Sequence, residues 1–172
     1  MPCMDLTDRL LGHDAWTTCR LLKLAASLPD DDLDRDFDLG RRTLRATFDH
    51  MIRNVEVWTD LMRSREARER AGTSVPELIE RHDASMAEFI ALAKEIEARG
   101  AWDERWIDQE ETPPKERTFG GTIAHVITHN MHHRAQLLFM LLLKCLYQRG
   151  VRCFVLSQVR FVLFTSLLQS VV

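Results

Sequence analysis

Hydrophobic residues recur every three or four positions over four long stretches of the chain, which is the spacing of one buried face of an α-helix. Alternation of apolar and polar residues, which is typical of strands, is scarce. One helix start is marked by a capping-box pattern, Ser74 to Glu77. The predicted helices cover residues 6–28, 43–70, 75–99 and 122–147. The pattern therefore predicts an all-α domain, and four long helices predict a four-helix bundle.

Two longer connections separate these helices. Residues 29–38, PDDDLDRDFD, begin with a proline that stops the first helix, and their charges predict a solvated acidic loop rather than a catalytic carboxylate cluster. Residues 101–118 contain two Trp and two consecutive Pro without a helical stripe. We expect them to form an ordered connection across the bundle, with room for a short extended pair.

The composition changes beyond Gly150. No Asp or Glu follows Glu116, and the terminal segment is rich in Val, Phe and Leu. Arg160 in its middle argues against a membrane span, so we expect a packing or dimer-forming segment. The chain is thus divided into a predicted bundle, residues 1–147, and a divergent hydrophobic segment, residues 148–172. The abrupt loss of acidic residues motivates the hypothesis of a shifted reading frame or replaced terminus.

The overall composition narrows the class of protein. The 172 residues fit one domain, and 45% hydrophobic with 28% charged residues indicate a soluble globular chain. The net charge of −3 lacks the basic excess that binding to nucleic acid requires. Four cysteines without a CxxC pair, and an N-terminus without a basic and apolar leader, favour a cytoplasmic protein with reduced thiols.

The spacing of the histidines indicates a possible metal site. Residues four apart on a helix lie on nearly the same face, so HVITHNMHH presents His125, His129 and His133 as one column. Two neighbouring members of such a column can chelate one zinc ion. A third ligand must come from another helix, and His50 is the candidate because its flank of the second helix turns toward the interior. Three neutral imidazoles would leave one coordination position open.

Several neighbouring residues have open roles. His125 either replaces His133 as a ligand or supports a ligand by a hydrogen bond. His13 and Thr17 interrupt the apolar stripe of the first helix and are candidates to line a pocket. His132 points away from the column and is expected to support a ligand or face solvent.

Two further residues follow the His column on the last helix. Arg134 and Gln136 either support a ligand or hold the helices together, and the second role is favoured for Arg134. The alternative for the histidines themselves is that they are ordinary polar residues of a bundle, each satisfied by hydrogen bonds.

The segments TLRATFDHMIRNVEVW and HVITHNMHHRAQ resemble the DinB family of the DinB/YfiT-like metalloprotein superfamily, and the resemblance extends over residues 1 to about 145. It implies an up-down-down-up bundle, frequently homodimeric, with a divalent ion, zinc or nickel, at the floor of an apolar pocket. Matched position by position, the ligands of the family fall on His50, His129 and His133. The sequence departs from the family pattern after about Leu143.

The resemblance also implies a type of reaction. Superfamily members with an established activity are thiol-dependent transferases or isomerases, in which a low-molecular-weight thiol such as mycothiol or bacillithiol binds the metal. We therefore expect a metal-dependent enzyme of the thiol transferase or hydrolase type acting on a small molecule. The alternative is a non-catalytic metal-binding bundle that stiffens the fold or senses stress. A DNA-damage effector is suggested only by the historical family name, and the acidic charge argues against it.

Overall fold

The structure, a computed structural model, describes residues 5–147 and is predominantly helical. Its elements in chain order are α1 (Leu6–Ala25), α2 (Asp30–Leu33), α3 (Leu44–Met62), α4 (Val75–Ala98), β1 (Arg105–Asp108), β2 (Lys115–Thr118) and α5 (Phe119–Tyr147). The four long helices form the bundle, which confirms the predicted all-α class. The segment predicted as divergent, 148–172, lies outside the described residues.

Side-chain pairs show how the four long helices run relative to one another. Helix α1 is antiparallel to α4, α4 is parallel to α3, and α3 is antiparallel to α5, which is the up-down-down-up order. The contacts that fix these directions are Asp8–Lys94, Arg81–Asp49, Arg63–Glu95, His50–His133 and Trp58–His125. Residues 63–74 therefore return the chain along the bundle between the two parallel helices.

The helix starts follow from local capping. The Thr43 hydroxyl accepts a hydrogen bond from the Ala46 amide at 3.0 Å, which satisfies one free N–H at the start of α3. The predicted capping box at the start of α4 is confirmed, with the Ser74 amide donating to Glu77 Oε2 at 3.0 Å. Helix α4 ends within one residue of the prediction, whereas α1 ends three residues early and α5 begins three residues early.

Helix α3 ends at Met62, so the prediction that it continues to Arg70 is wrong. Ser64 takes a left-handed backbone conformation, with φ of 55°, and turns the chain. Arg65 and Arg68 then fold back onto the buried carboxylate of Asp60, at 2.8 and 2.7 Å. A buried carboxylate needs such partners, and the mixed-charge run supplies them instead of extending into water.

The acidic connection is also not the fully solvated loop that the sequence predicts. Residues 30–33 form the helical turn α2, and Asp32 is only 5% exposed. Its carboxylate binds Lys144 of α5 at 2.9 Å and Arg35 at 3.1 Å. These ion pairs anchor the connection to the bundle.

We expect the stability of the protein to fall in acid as Asp60 is protonated. Burial alone would raise the pKa of this carboxyl, but hydrogen bonds and charge from Arg68 and the charge of Arg65 outweigh burial and lower it. Since the folded-state pKa lies below the unfolded value of about 3.9, the stabilisation is complete above that value and is lost as the pH falls through the folded-state pKa. Urea unfolding from pH 7 to pH 2 measures this loss. Asp60→Asn should show a shallower pH dependence than the wild type, and an equally steep one would contradict the assignment.

The strands and the core position the last helix. Strands β1 and β2 pair antiparallel, with Arg105 opposite Thr118, which confirms the short extended pair. Two apolar clusters fill the bundle, one around Phe48 and Leu137 and the other around Phe89 and Val126. His129 and His133 of α5 follow Val126 and precede Leu137 along the helix, so they lie where the two clusters meet. None of the helices in residues 5–147 combines the length and apolar character that a bilayer span requires.

Candidate metal centre

Three imidazole rings meet between α3 and α5. His129 and His133 lie one turn apart on α5, and the antiparallel α3 brings His50 to them from across the interface. One ring nitrogen from each residue lies within 4.8 Å of the other two. The Nε2 atoms of His50 and His129 are 3.0 Å apart, and the three ring centroids are separated by 4.4 to 4.9 Å. The structure therefore brings together the three residues predicted as ligands, and this cluster could hold a metal ion.

The donor set suits a divalent ion. Two imidazole nitrogens bound at about 2.0 to 2.1 Å in tetrahedral geometry lie about 3.4 Å from each other, close to the separation of His50 and His129. Without an ion, two such nitrogens can approach only when one of them carries the proton that the other accepts. The Nδ1 atom of His129 is buried and has no hydrogen-bond partner among residues 5–147. A shared cation would satisfy the facing lone pairs better than the rings satisfy one another.

The electrostatic environment keeps the three rings neutral. Burial, the positive charge of Arg41 and the neighbouring rings lower the pKa of His50 to about 4. Burial and repulsion from a protonated His133 lower the pKa of His129 to about 4, and burial lowers the pKa of His133 as well. Neutral imidazoles have the free lone pairs that metal binding requires.

Gln136 orients His133. The Nδ1–H of His133 donates to Gln136 Oε1 at 2.8 Å, and Gln136 Nε2 donates to His132 Nε2 at 2.9 Å. Because a carbonyl oxygen can only accept, the proton of His133 lies on Nδ1 and the lone pair on Nε2 is left for a ligand bond. Of the two roles that the sequence leaves open for Gln136, support of a ligand fits these contacts. His132 is exposed, as expected, and contacts the same amide.

His125 lies beside the cluster. Its ring is 5.7 Å from the His129 ring and packs edge-on against Trp58 at 5.6 Å. His125 and Trp58 line a cleft of about 510 Å³ that extends to the hairpin and to the start of α5. The walls of this cleft also carry Glu111 and Arg117, so it is more polar than the pocket that the resemblance implies.

His13 and Thr17, the predicted pocket-lining residues of α1, contact each other. Thr17 is buried, and its hydroxyl donates to the His13 carbonyl at 2.7 Å. Burial and the charge of Arg134 lower the pKa of His13. The cleft beside Trp58 is lined by residues of other elements, so a pocket-lining role for His13 and Thr17 stays a prediction.

Arg134 joins α1 to α5. Its guanidinium donates to the buried carboxylate of Asp14 and to the Thr18 hydroxyl, and Asn130 Nδ2 donates to the same carboxylate at 2.9 Å. Arg134 is 6% exposed and Asp14 is 1% exposed. This network fits the predicted role of holding helices together and fixes the helix that carries the His column.

Arg41 also contacts the cluster, and no feature of the sequence predicts this. Its Nη2 atom lies 3.3 Å from His50 Nε2, although the residue belongs to the exposed turn before α3. No periodicity or motif indicates this contact, since the turn that brings Arg41 to His50 is irregular.

Four long helices in this order, with three imidazoles drawn from the second and last of them, define a helical-bundle protein with a candidate metal centre. The family model for the DinB superfamily matches residues 14–137, and the chain belongs to this superfamily. The matched range includes all three histidines of the cluster. A comparison with curated proteins gives no match.

Proposed function

We propose that the protein is a metal-dependent enzyme of the thiol transferase or hydrolase type, with a divalent ion, zinc or nickel, held by His50, His129 and His133. The observation that carries the proposal is the convergence of one ring nitrogen from each residue within 4.8 Å. Membership of the DinB superfamily supports it. The proposal places the reaction on a small molecule or low-molecular-weight thiol in the cytoplasm, and the protein in a homodimer.

The ligands, Gln136 and the neighbouring cleft have different roles in this proposal. His50, His129 and His133 would hold the ion, which would supply Lewis-acid chemistry and would lower the pKa of a thiol or water at the open position. Gln136 keeps the His133 lone pair available by holding its proton on Nδ1. The cleft beside His125 and Trp58 has a volume in the range of small-molecule sites, and its charged walls suit a polar substrate.

A second candidate function is a non-catalytic bundle in which the ion stiffens the fold. It is favoured by the position of the cluster, because one ion bound to His50 and His129 would cross-link α3 to α5. Thermal unfolding with and without a chelator separates the two functions. A structural ion predicts that chelation and His133→Ala lower the Tm by comparable amounts. A catalytic ion predicts that the apoprotein stays folded and that an added thiol changes the visible spectrum of the cobalt-substituted protein.

We expect Gln136→Ala to weaken zinc binding by about 10- to 100-fold, the usual cost of removing a group that orients a metal-binding histidine. Competition with a chromophoric chelator measures the affinity. Gln136→Glu keeps an acceptor for His133 Nδ1 and should retain most of the affinity for zinc. Gln109→Ala is the matched control, because Gln109 is exposed in the turn between the strands. Equal affinities for Gln136→Ala and Gln109→Ala would show that the hydrogen bond does not orient a ligand.

A further inference from the structure

Arg41 contacts the candidate metal centre from the turn between α2 and α3. Its Nη2 atom is 3.3 Å from Nε2 of His50, the nitrogen that also faces His129. An ion bound to that nitrogen at about 2.0 to 2.1 Å would lie within ~5.4 Å of Nη2. A positively charged side chain that close to a cation is repelled unless a negative group lies between them.

The charge of Arg41 is not neutralised by a carboxylate within residues 5–147, although the surrounding chain is rich in aspartate. Its neighbour Arg42 binds Asp36, and Arg45 binds Asp34 at 2.8 Å. The only polar partner recorded for the Arg41 guanidinium in that range is His50. The acidic groups nearby therefore form ion pairs with other arginines, and Arg41 remains able to bind an anion.

The turn that carries Arg41 is held in place. Asp38, Gly40 and Arg42 all have left-handed backbone conformations, with φ of 53°, 53° and 73°. Gly40 packs so closely on Gln136 that an added Cβ would overlap the side-chain amide. Since Gln136 also binds His133, the same amide contacts the turn and a candidate ligand. The position of Arg41 is thus linked to the geometry of the cluster.

We propose that Arg41 is a specificity-determining residue that selects a negatively charged ligand group, a thiolate or a carboxylate, for the open position beside His50, His129 and His133. This inference rests on the proposed metal site and deepens it by naming the charge of the group that binds there. The guanidinium has several donors, so it can bind an anion after an ion takes the His50 lone pair. Charge-assisted hydrogen bonds of this kind are stronger than neutral ones.

The test uses two probe ligands on the cobalt(II)-loaded full-length protein, azide as the anion and imidazole as the neutral ligand. Each is titrated into the wild type, Arg41→Gln, Arg41→Lys and Arg99→Gln, with binding followed by the visible cobalt spectrum. Arg99 is the control, because it follows α4, contacts Glu104 at 3.7 Å and has an exposed side chain. Its replacement removes the same charge at the other end of the bundle.

We expect Arg41→Gln to weaken azide binding about tenfold, the cost of one charge-assisted hydrogen bond, and to leave imidazole binding within about twofold. Arg41→Lys should fall between the wild type and Arg41→Gln, and Arg99→Gln should match the wild type. Equal effects of Arg41→Gln on both probes, or no effect on azide, would overturn this inference and leave the metal site standing. A wild-type protein that takes up no cobalt would overturn the proposed function, and this inference with it.

Discussion

His129→Ala should lose most of the affinity for zinc while the bundle stays folded. The His129 ring contacts both of the others, with ring centroids 4.9 Å from His50 and 4.4 Å from His133, and its Nε2 is 3.0 Å from His50 Nε2. Removing it leaves two ligands that cannot hold an ion in the same geometry. We expect a loss of more than about 100-fold, because even residues that only support a ligand are worth 10- to 100-fold. Chelator competition measures the affinity, and circular dichroism measures the helix content.

His125→Ala is the matched control for this prediction. It lies one turn before His129 on the same column, but its ring packs on Trp58 and it is not part of the three-residue cluster. We expect this variant to bind zinc as the wild type does. A loss of affinity in His125→Ala as large as that in His129→Ala would mean that His125 is a ligand, which the sequence alone leaves open.

Arg134→Ala should destabilise the protein by about 3 to 5 kcal/mol, the cost of leaving a buried charge without its partner. The variant isolates the carboxylate of Asp14, which is 1% exposed and, among residues 5–147, then retains the neutral Asn130 donor. Urea unfolding of the metal-free protein measures the change without a contribution from metal binding.

Two further variants test this explanation. Arg105→Ala removes an exposed ion pair with Glu116 and should cost no more than about 1 kcal/mol. The double variant Asp14→Leu/Arg134→Met removes both buried charges, so it should recover much of the stability that Arg134→Ala loses. An Arg134→Ala protein as stable as Arg105→Ala would show that the buried pair does not hold α1 to α5.

The parts of the centre that follow from sequence are those governed by helical periodicity. A spacing of four places His129 and His133 on one face of any helix, and the apolar stripe of α3 turns the flank with His50 toward α5. The start of α4 also follows from the sequence, because the capping box is a local four-residue pattern. These features need no knowledge of the tertiary fold beyond the bundle.

The remaining parts depend on tertiary contacts outside regular helices. Arg41 reaches His50 only because an irregular turn packs against Gln136, and no local pattern encodes that turn. The end of α3 and the burial of Asp32 were predicted wrongly for a related reason. A run of charges looks solvated in sequence, whereas here Arg68 binds the buried Asp60 and Lys144 binds Asp32. Ion pairs that do not follow the helical spacing leave no periodic signal.

The most direct test of the central claim is X-ray absorption spectroscopy of the zinc-loaded protein at the metal edge. We predict three imidazole nitrogens at about 2.0 to 2.1 Å and one further light atom, the signature of a three-histidine site with an exchangeable position. In thiol-free buffer, a spectrum with sulfur at about 2.3 Å, or one with fewer than three imidazoles, would contradict the account.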